Sequence, residues 1–280
     1  MKTKAFLPIL AFITLGGLLT SCEKTDNTEP EATEITTTTE LAGRQATSDN
    51  LTEDANDIYM NAADDNSILG GRPSDANDVL TCGEVTVTPL LGFPKTITID
   101  FKDGCVGRHG VTRSGIITIV VSDSVRKSGS TATMSFTNYI VNGFKMEGTI
   151  TWTNTSTANT KSWTRVVSNG KTTNTADGKY WFHSGTKTVV QTGGLATPRR
   201  FSDDVFSITG THTVKNAAGL ERTTTILDPL IKATECRYVQ DGSMKLQGPR
   251  HYVVIDFGNG VCDNDATLSV DGGEPFAIKL

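Results

Sequence analysis

Apolar and polar residues are distributed in three different ways along this chain. From Ala5 to Leu19 nearly every position is apolar, broken only by Pro8, Thr14, Gly16 and Gly17. From Glu23 to about Asn50 large apolar residues almost vanish, and Thr, Glu, Asp and Ser dominate. A stretch so poor in apolar surface lacks the burial that offsets ordering entropy, so residues 22–50 are expected to form a disordered tether. Leu51, Ala55, Ile58 and Ala62 then recur at helical spacing, with Ser48 or Asn50 as cap and Glu53 in the first turn. One short helix over 51–66 is expected, with Gly70-Gly71-Arg72-Pro73 breaking the chain after it.

From Cys82 onward the period becomes two, as in Thr96-Ile97-Thr98-Ile99, Ile116–Val120, Met134–Thr137 and Arg222–Ile226. Asn142-Gly143, Asn169-Gly170, Asp177-Gly178, Asp241-Gly242 and Asn259-Gly260 separate the segments. Asn-Gly and Asp-Gly favour two-residue hairpin turns, because both positions need positive φ. The expected fold is all-β: an antiparallel meander, as one sheet or a sandwich, over residues 80–280.

Two stretches repeat. Cys82 leads through Ile99-Asp100-Phe101 to Cys105, and Cys236 leads through Ile255-Asp256-Phe257 to Cys262. Each reads Cys, strand, turn with Pro, strand ending Ile-Asp-Phe, Gly turn, Cys. A hairpin brings each pair of ends together, which predicts Cys82–Cys105 and Cys236–Cys262. A weaker repeat, Gly-Thr-x-Thr, begins at Gly148, Gly185 and Gly210 and reads as the start of a strand. Duplication is implied, giving either two similar halves, 80–170 and 171–280, or one long sheet closed by two disulfide-bonded hairpins.

The N-terminus changes the setting of this domain. Lys2 and Lys4 precede the apolar run, as in a secretory signal over residues 1–21. The run is shorter than the roughly 20 apolar residues that cross a bilayer. Leu19-Thr20-Ser21-Cys22 resembles the lipobox of bacterial lipoproteins, which implies acylation of Cys22 and a membrane as partner through the acyl chains. Net charge is −5 over 280 residues, with no basic patch of the kind that tracks nucleic acid.

Candidate chemistry is sparse. His109, His183, His212 and His251 are scattered, and neither a Gly-x-Ser-x-Gly elbow nor a His-Glu-x-x-His motif occurs. Asp256, Asn259, Asp263 and Asp265 offer oxygen ligands on a Gly-rich turn that suit Ca²⁺, against the plainer reading of a capped turn. No other cofactor is implied. Trp163, Tyr180 and Trp181 (with Trp152 nearby) offer an aromatic platform for a glycan, against the plainer reading of core packing.

Finally, Ile-Asp-Phe-Lys-Asp-Gly-Cys105, Arg113-Ser114-Gly115, Asn138–Gly143 and Asp256–Asn264 resemble uncharacterised outer-membrane or surface lipoproteins of Bacteroidota. The likeness covers most of residues 80–280. It implies an outer-membrane localisation, periplasmic or surface-facing, and carries no activity with it. The expected function is a non-enzymatic binding or structural lipoprotein whose partner is a glycan or an envelope protein. The alternative is a glycan-processing enzyme on the same anchor.

Overall fold

A computed structural model describes residues 29–63, 82–107, 110–197 and 200–280. The signal segment, Cys22 and His109 lie outside the described residues. The first element is α1 (Glu31–Ala63), followed by β1 (Glu84–Thr88), β2 (Lys95–Asp100), β3 (Cys105–Val106), β4 (Thr112–Val121) and β5 (Thr131–Val141). Then come β6 (Phe144–Asn154), β7 (Ser162–Asn174), β8 (Tyr180–Gly193), β9 (Val205–Asn216) and β10 (Glu221–Ala233). The chain ends with β11 (Asp241–Gln247), β12 (Tyr252–Asn259), β13 (Asp265–Val270) and β14 (Phe276–Lys279). All strands belong to one antiparallel meander in chain order, with β3 set aside on β4. The sheet curls around α1, which meets side chains from β4, β6 to β8 and β10 on its inner face.

The meander is as the period-two pattern predicts, and it is a single sheet rather than a sandwich. The expected halves are not separate units. Gly170 and Lys171 sit side by side inside β7, which pairs with β6 and β8 along its length. Both disulfides form as predicted, Cys82–Cys105 and Cys236–Cys262. Closing loops of 23 and 26 residues is worth about 3 kcal/mol each in the chain-entropy model. The repeat is also real in three dimensions. Ile99, Phe101, Ile255 and Phe257 all point into the core. Between them Asp100 accepts a hydrogen bond from Lys102 N at 2.7 Å, and Asp256 one from Gly258 N at 2.8 Å.

Curling a broad sheet requires its strands to bend, and glycines do this. Register shifts interrupt pairing beside Gly115, Gly148, Gly170 and Gly242. Such bulges bend a strand and increase its twist. At Gly148, with φ +102°, an added Cβ would stand 2.5 Å from Asn169 O. Two of the five expected hairpin dipeptides are therefore bulges: Asn169-Gly170 lies within β7 and Asp241-Gly242 opens β11. The Gly-Thr-x-Thr motifs likewise mark mid-strand bends, not strand starts. Gly148→Ala is expected to cost about 1–3 kcal/mol through strain and backbone displacement. Gly43→Ala, in α1 with open space around it, should instead stabilise by about 0.5–1 kcal/mol. Urea unfolding of the two variants checks the opposite signs.

The largest departure concerns the N-terminal segment. Residues 31–50 are not a tether; they form the first part of a 33-residue helix. Thr36, Thr38, Thr47 and Thr52 turn their hydroxyls onto carbonyls four residues back, so these hydroxyls are satisfied within the helix itself. Polar and apolar side chains are spread all round α1, yet from Leu51 to Ala62 every residue but Asp54 is buried. A polar helix is buried only where its polar groups are matched, and the inner face of the sheet supplies the match.

Candidate functional site

Inside the curled sheet, charge is segregated by element. Among the described residues, the buried charged side chains of α1 are Glu34, Asp49, Glu53 and Asp57, all acidic. Those of the sheet are Lys95, Arg113, Arg165, Lys187, Arg222 and Lys232, all basic, joined by His183 and His212. Strand alternation places these bases on the same inner face as the apolar core, where α1 passes.

The pairs run along the helix. Glu29, just before α1, meets Arg222 at 2.6 Å, and Arg222 Nε also donates to Thr38 Oγ1 at 2.7 Å. Glu34 accepts from Arg250 Nε at 2.8 Å and from the backbone N–H of Arg250 and His251 at 2.6 and 2.9 Å. Asp49 pairs with Lys187 at 2.8 Å and lies 3.5 Å from His212. Glu53 and Arg165 form a two-pronged pair, with Nη1 2.9 Å from Oε2. Arg113 pairs with Asp54, and Lys232 with Asp57 at 3.1 Å. Two tryptophans add neutral bonds: Trp181 Nε1 donates to Ser48 Oγ at 2.8 Å and Trp152 Nε1 to Asn56 Oδ1 at 3.1 Å.

Burial and pairing move the titration of these groups in opposite directions. Burial alone would raise Glu34, but the N–H groups of Arg250 and His251 outweigh it and hold the carboxyl at about 2. Burial would raise Asp49 too, but the charges of Lys187 and His212 hold it well below the usual range. Burial wins at Asp57, pushed up to about 6 against the pull of Lys232. Burial holds His183 down at about 4 and also lowers His212, in both cases against the attraction of Asp49.

The signs give a pH profile. Asp57 binds more protons folded than unfolded between about 4 and 6, so its contribution to stability falls as pH rises there. The lowered imidazole of His183 does the reverse over nearly the same window. These two terms oppose each other, as do the raised Asp204 and the lowered His212, whereas Glu34 and Asp49 both lose stabilisation as pH falls below their unfolded values near 4. Stability measured by urea midpoint should therefore be shallow in pH from about 4.5 to 6.5. It should fall steeply from about 4.5 towards 2. A steep loss already between pH 6.5 and 5 would contradict this balance.

A pocket opens at Met60, in the last turn of α1, under the loops after β4, β6 and β8. It encloses about 680 Å³, counting the solvent at its mouth. Trp163 and Phe206 form one wall, edge to face with ring centres 6.4 Å apart. Gln191 and Asp204 supply polar groups, and Lys161 lies beside them. Burial and the neighbouring Asp203 push the Asp204 carboxyl up to about 7.

The sequence-derived candidates separate in space. Trp163 and Trp181 are both buried on the inner face, as is Trp152. Tyr180 lies half-buried against Phe182 and Lys171. There is no shared aromatic platform, because adjacent residues Tyr180 and Trp181 point to opposite faces of β8. Of the three, Trp163 alone lines the pocket. The calcium candidates lie closer together: Asp256, Asn259, Asp263 and Asp265 all line one open pocket beside β12, β13 and β14. Asp256 caps Gly258 N, Asp263 caps Asp265 N at 2.9 Å, and Asp265 pairs with Lys279. Within that pocket their carboxylates are engaged by their own turns and by a lysine. No group of three or more His, Cys, Asp or Glu among the described residues is placed to hold a metal.

The sequence reading missed the inner ion pairs and the Asp204 pocket. The first had a signal, since inward positions of β7, β8 and β10 carry Arg165, Lys187 and Lys232. Comparison with protein-family models, with curated proteins and with solved structures finds no match for the chain.

Proposed function

We propose that this chain is a lipid-anchored protein of the cell envelope or cell surface that binds a partner or plays a structural role and is not an enzyme. Export by residues 1–21 and acylation of Cys22 follow the sequence signals. The observation that supports the reading is how close to Cys22 the sheet already holds the chain. Glu29 is already held by Arg222 and Arg250, seven residues after Cys22. Seven residues span at most about 25 Å. Acyl chains on Cys22 would therefore keep the entrance of the sheet close to the bilayer, without a long spacer. Two closed disulfides agree with an oxidising compartment. Among the described residues, the pocket at Met60 is lined by a single carboxyl, Asp204, whereas glycoside hydrolysis commonly uses a pair.

The test is metabolic labelling with an alkyne fatty acid in a bacterial host, followed by membrane fractionation. The full chain should carry the label and sediment with membranes. Cys22→Ser should lose the label. An unlabelled wild-type chain in the soluble fraction would overturn the reading.

A further inference from the structure

We propose that the pocket at the end of α1 binds a single sugar ring, a compact neutral polyol. This rests on the binding half of the function proposed above, and not on the anchor. The pocket lies at the last turn of α1, with Met60 as part of its lining. Its wall combines rigid aromatic surface with polar groups already locked in place. Both amide hydrogens of Gln191 are used, donating to Gly193 O at 3.0 Å and Asp204 Oδ1 at 2.8 Å. That fixes the amide and leaves its oxygen as an acceptor. Asn154 is fixed in the same manner, donating to Val125 O at 2.6 Å and accepting from Ser156 N at 2.8 Å.

Three ligand classes can be compared against this lining. A purely apolar ligand would cover Gln191 and Asp204 without satisfying them, at the cost of unpaired buried polar groups. A strongly charged ligand finds charge of both signs, Asp204 together with Arg126 and Lys161. A neutral ring with hydroxyls on its rim and C–H groups on its face matches both halves: donors for Gln191 and Asp204, an acceptor for Lys161, and apolar contact for Trp163 and Phe206. Sites that combine apolar walls with a few fixed polar groups hold small molecules in this way.

The test is calorimetric titration of the purified full-length protein with glucose, galactose and N-acetylglucosamine, and with cyclohexanol as the apolar counterpart. At least one sugar should bind saturably, in the millimolar range or tighter, and more tightly than cyclohexanol. Gln191→Leu should weaken that binding at least tenfold, and Lys161→Ala severalfold, while the unfolding midpoint of Lys161→Ala stays at the wild-type value. No saturable sugar binding, equal binding of cyclohexanol, or sugar binding indifferent to both variants would each overturn the proposal. Labelling of Cys22 is read separately, so a failure here leaves the anchor reading intact, and the reverse.

Discussion

Arg165→Met should destabilise the protein by about 3–5 kcal/mol, because it strands the carboxylate of Glu53 inside the sheet. Both side chains are almost completely buried, at 0% and 1% exposure, and each is the other's charged partner. Glu53→Leu should be equally damaging for the mirror-image reason, leaving the guanidinium of Arg165 unpaired. The double variant should recover most of the loss. Once both charges are gone, neither desolvation penalty remains, and an apolar pair of similar volume is often neutral or better than a buried ion pair. A double-mutant cycle from urea unfolding reads the coupling directly. Single variants that each cost under about 1 kcal/mol would mean that the pair is hydrated, and that α1 is not held by matched charge.

That interface also explains which parts of the fold were legible. Strand alternation, the duplicated Ile-Asp-Phe hairpins and the cysteine pairing are local patterns, and each came through. The helix did not. A helix recognised from sequence has an apolar stripe, whereas residues 31–50 carry four consecutive threonines and scattered acids. Its partner surface is distributed over distant strands, 59 residues away for Asp54 and Arg113 and 175 for Asp57 and Lys232. The clue lay in the strands. In β7, Arg165 shares its face with Trp163 and Val167; in β8, Lys187 shares its face with Trp181, His183 and Val189. Cations recurring on an apolar face require anions opposite.

The glycine dipeptides failed for a different reason. A two-residue hairpin and a bulge can both hold Asn at positive φ, so Asn142-Gly143 and Asn169-Gly170 look alike in sequence. Asn142 and Asn169 even share nearly the same φ, +48° and +53°. Only tertiary curvature distinguishes them. One ends two strands of 11 residues, and the other bends a strand of 13 residues around the helix.

Trp152→Ala should cost a further 3–5 kcal/mol or so, the usual range for removing a fully buried aromatic ring. The indole lies at 0% exposure with its ring centre 4.6 Å from that of Tyr59, and its N–H donates to Asn56 Oδ1. It therefore joins α1 to β6 twice, once by packing and once by a hydrogen bond. Trp152→Phe separates the two. It keeps an aromatic ring against Tyr59 but leaves Asn56 Oδ1 without its donor, for which about 1–3 kcal/mol is expected. Adding Asn56→Leu to Trp152→Phe should return part of that loss, since both polar partners are then removed. Urea midpoints of the three variants decide it. Should Trp152→Phe be as damaging as Trp152→Ala, with no recovery on adding Asn56→Leu, the hydrogen bond would not be an independent tie. The polar seam between helix and sheet would then be a consequence of packing, and not its cause.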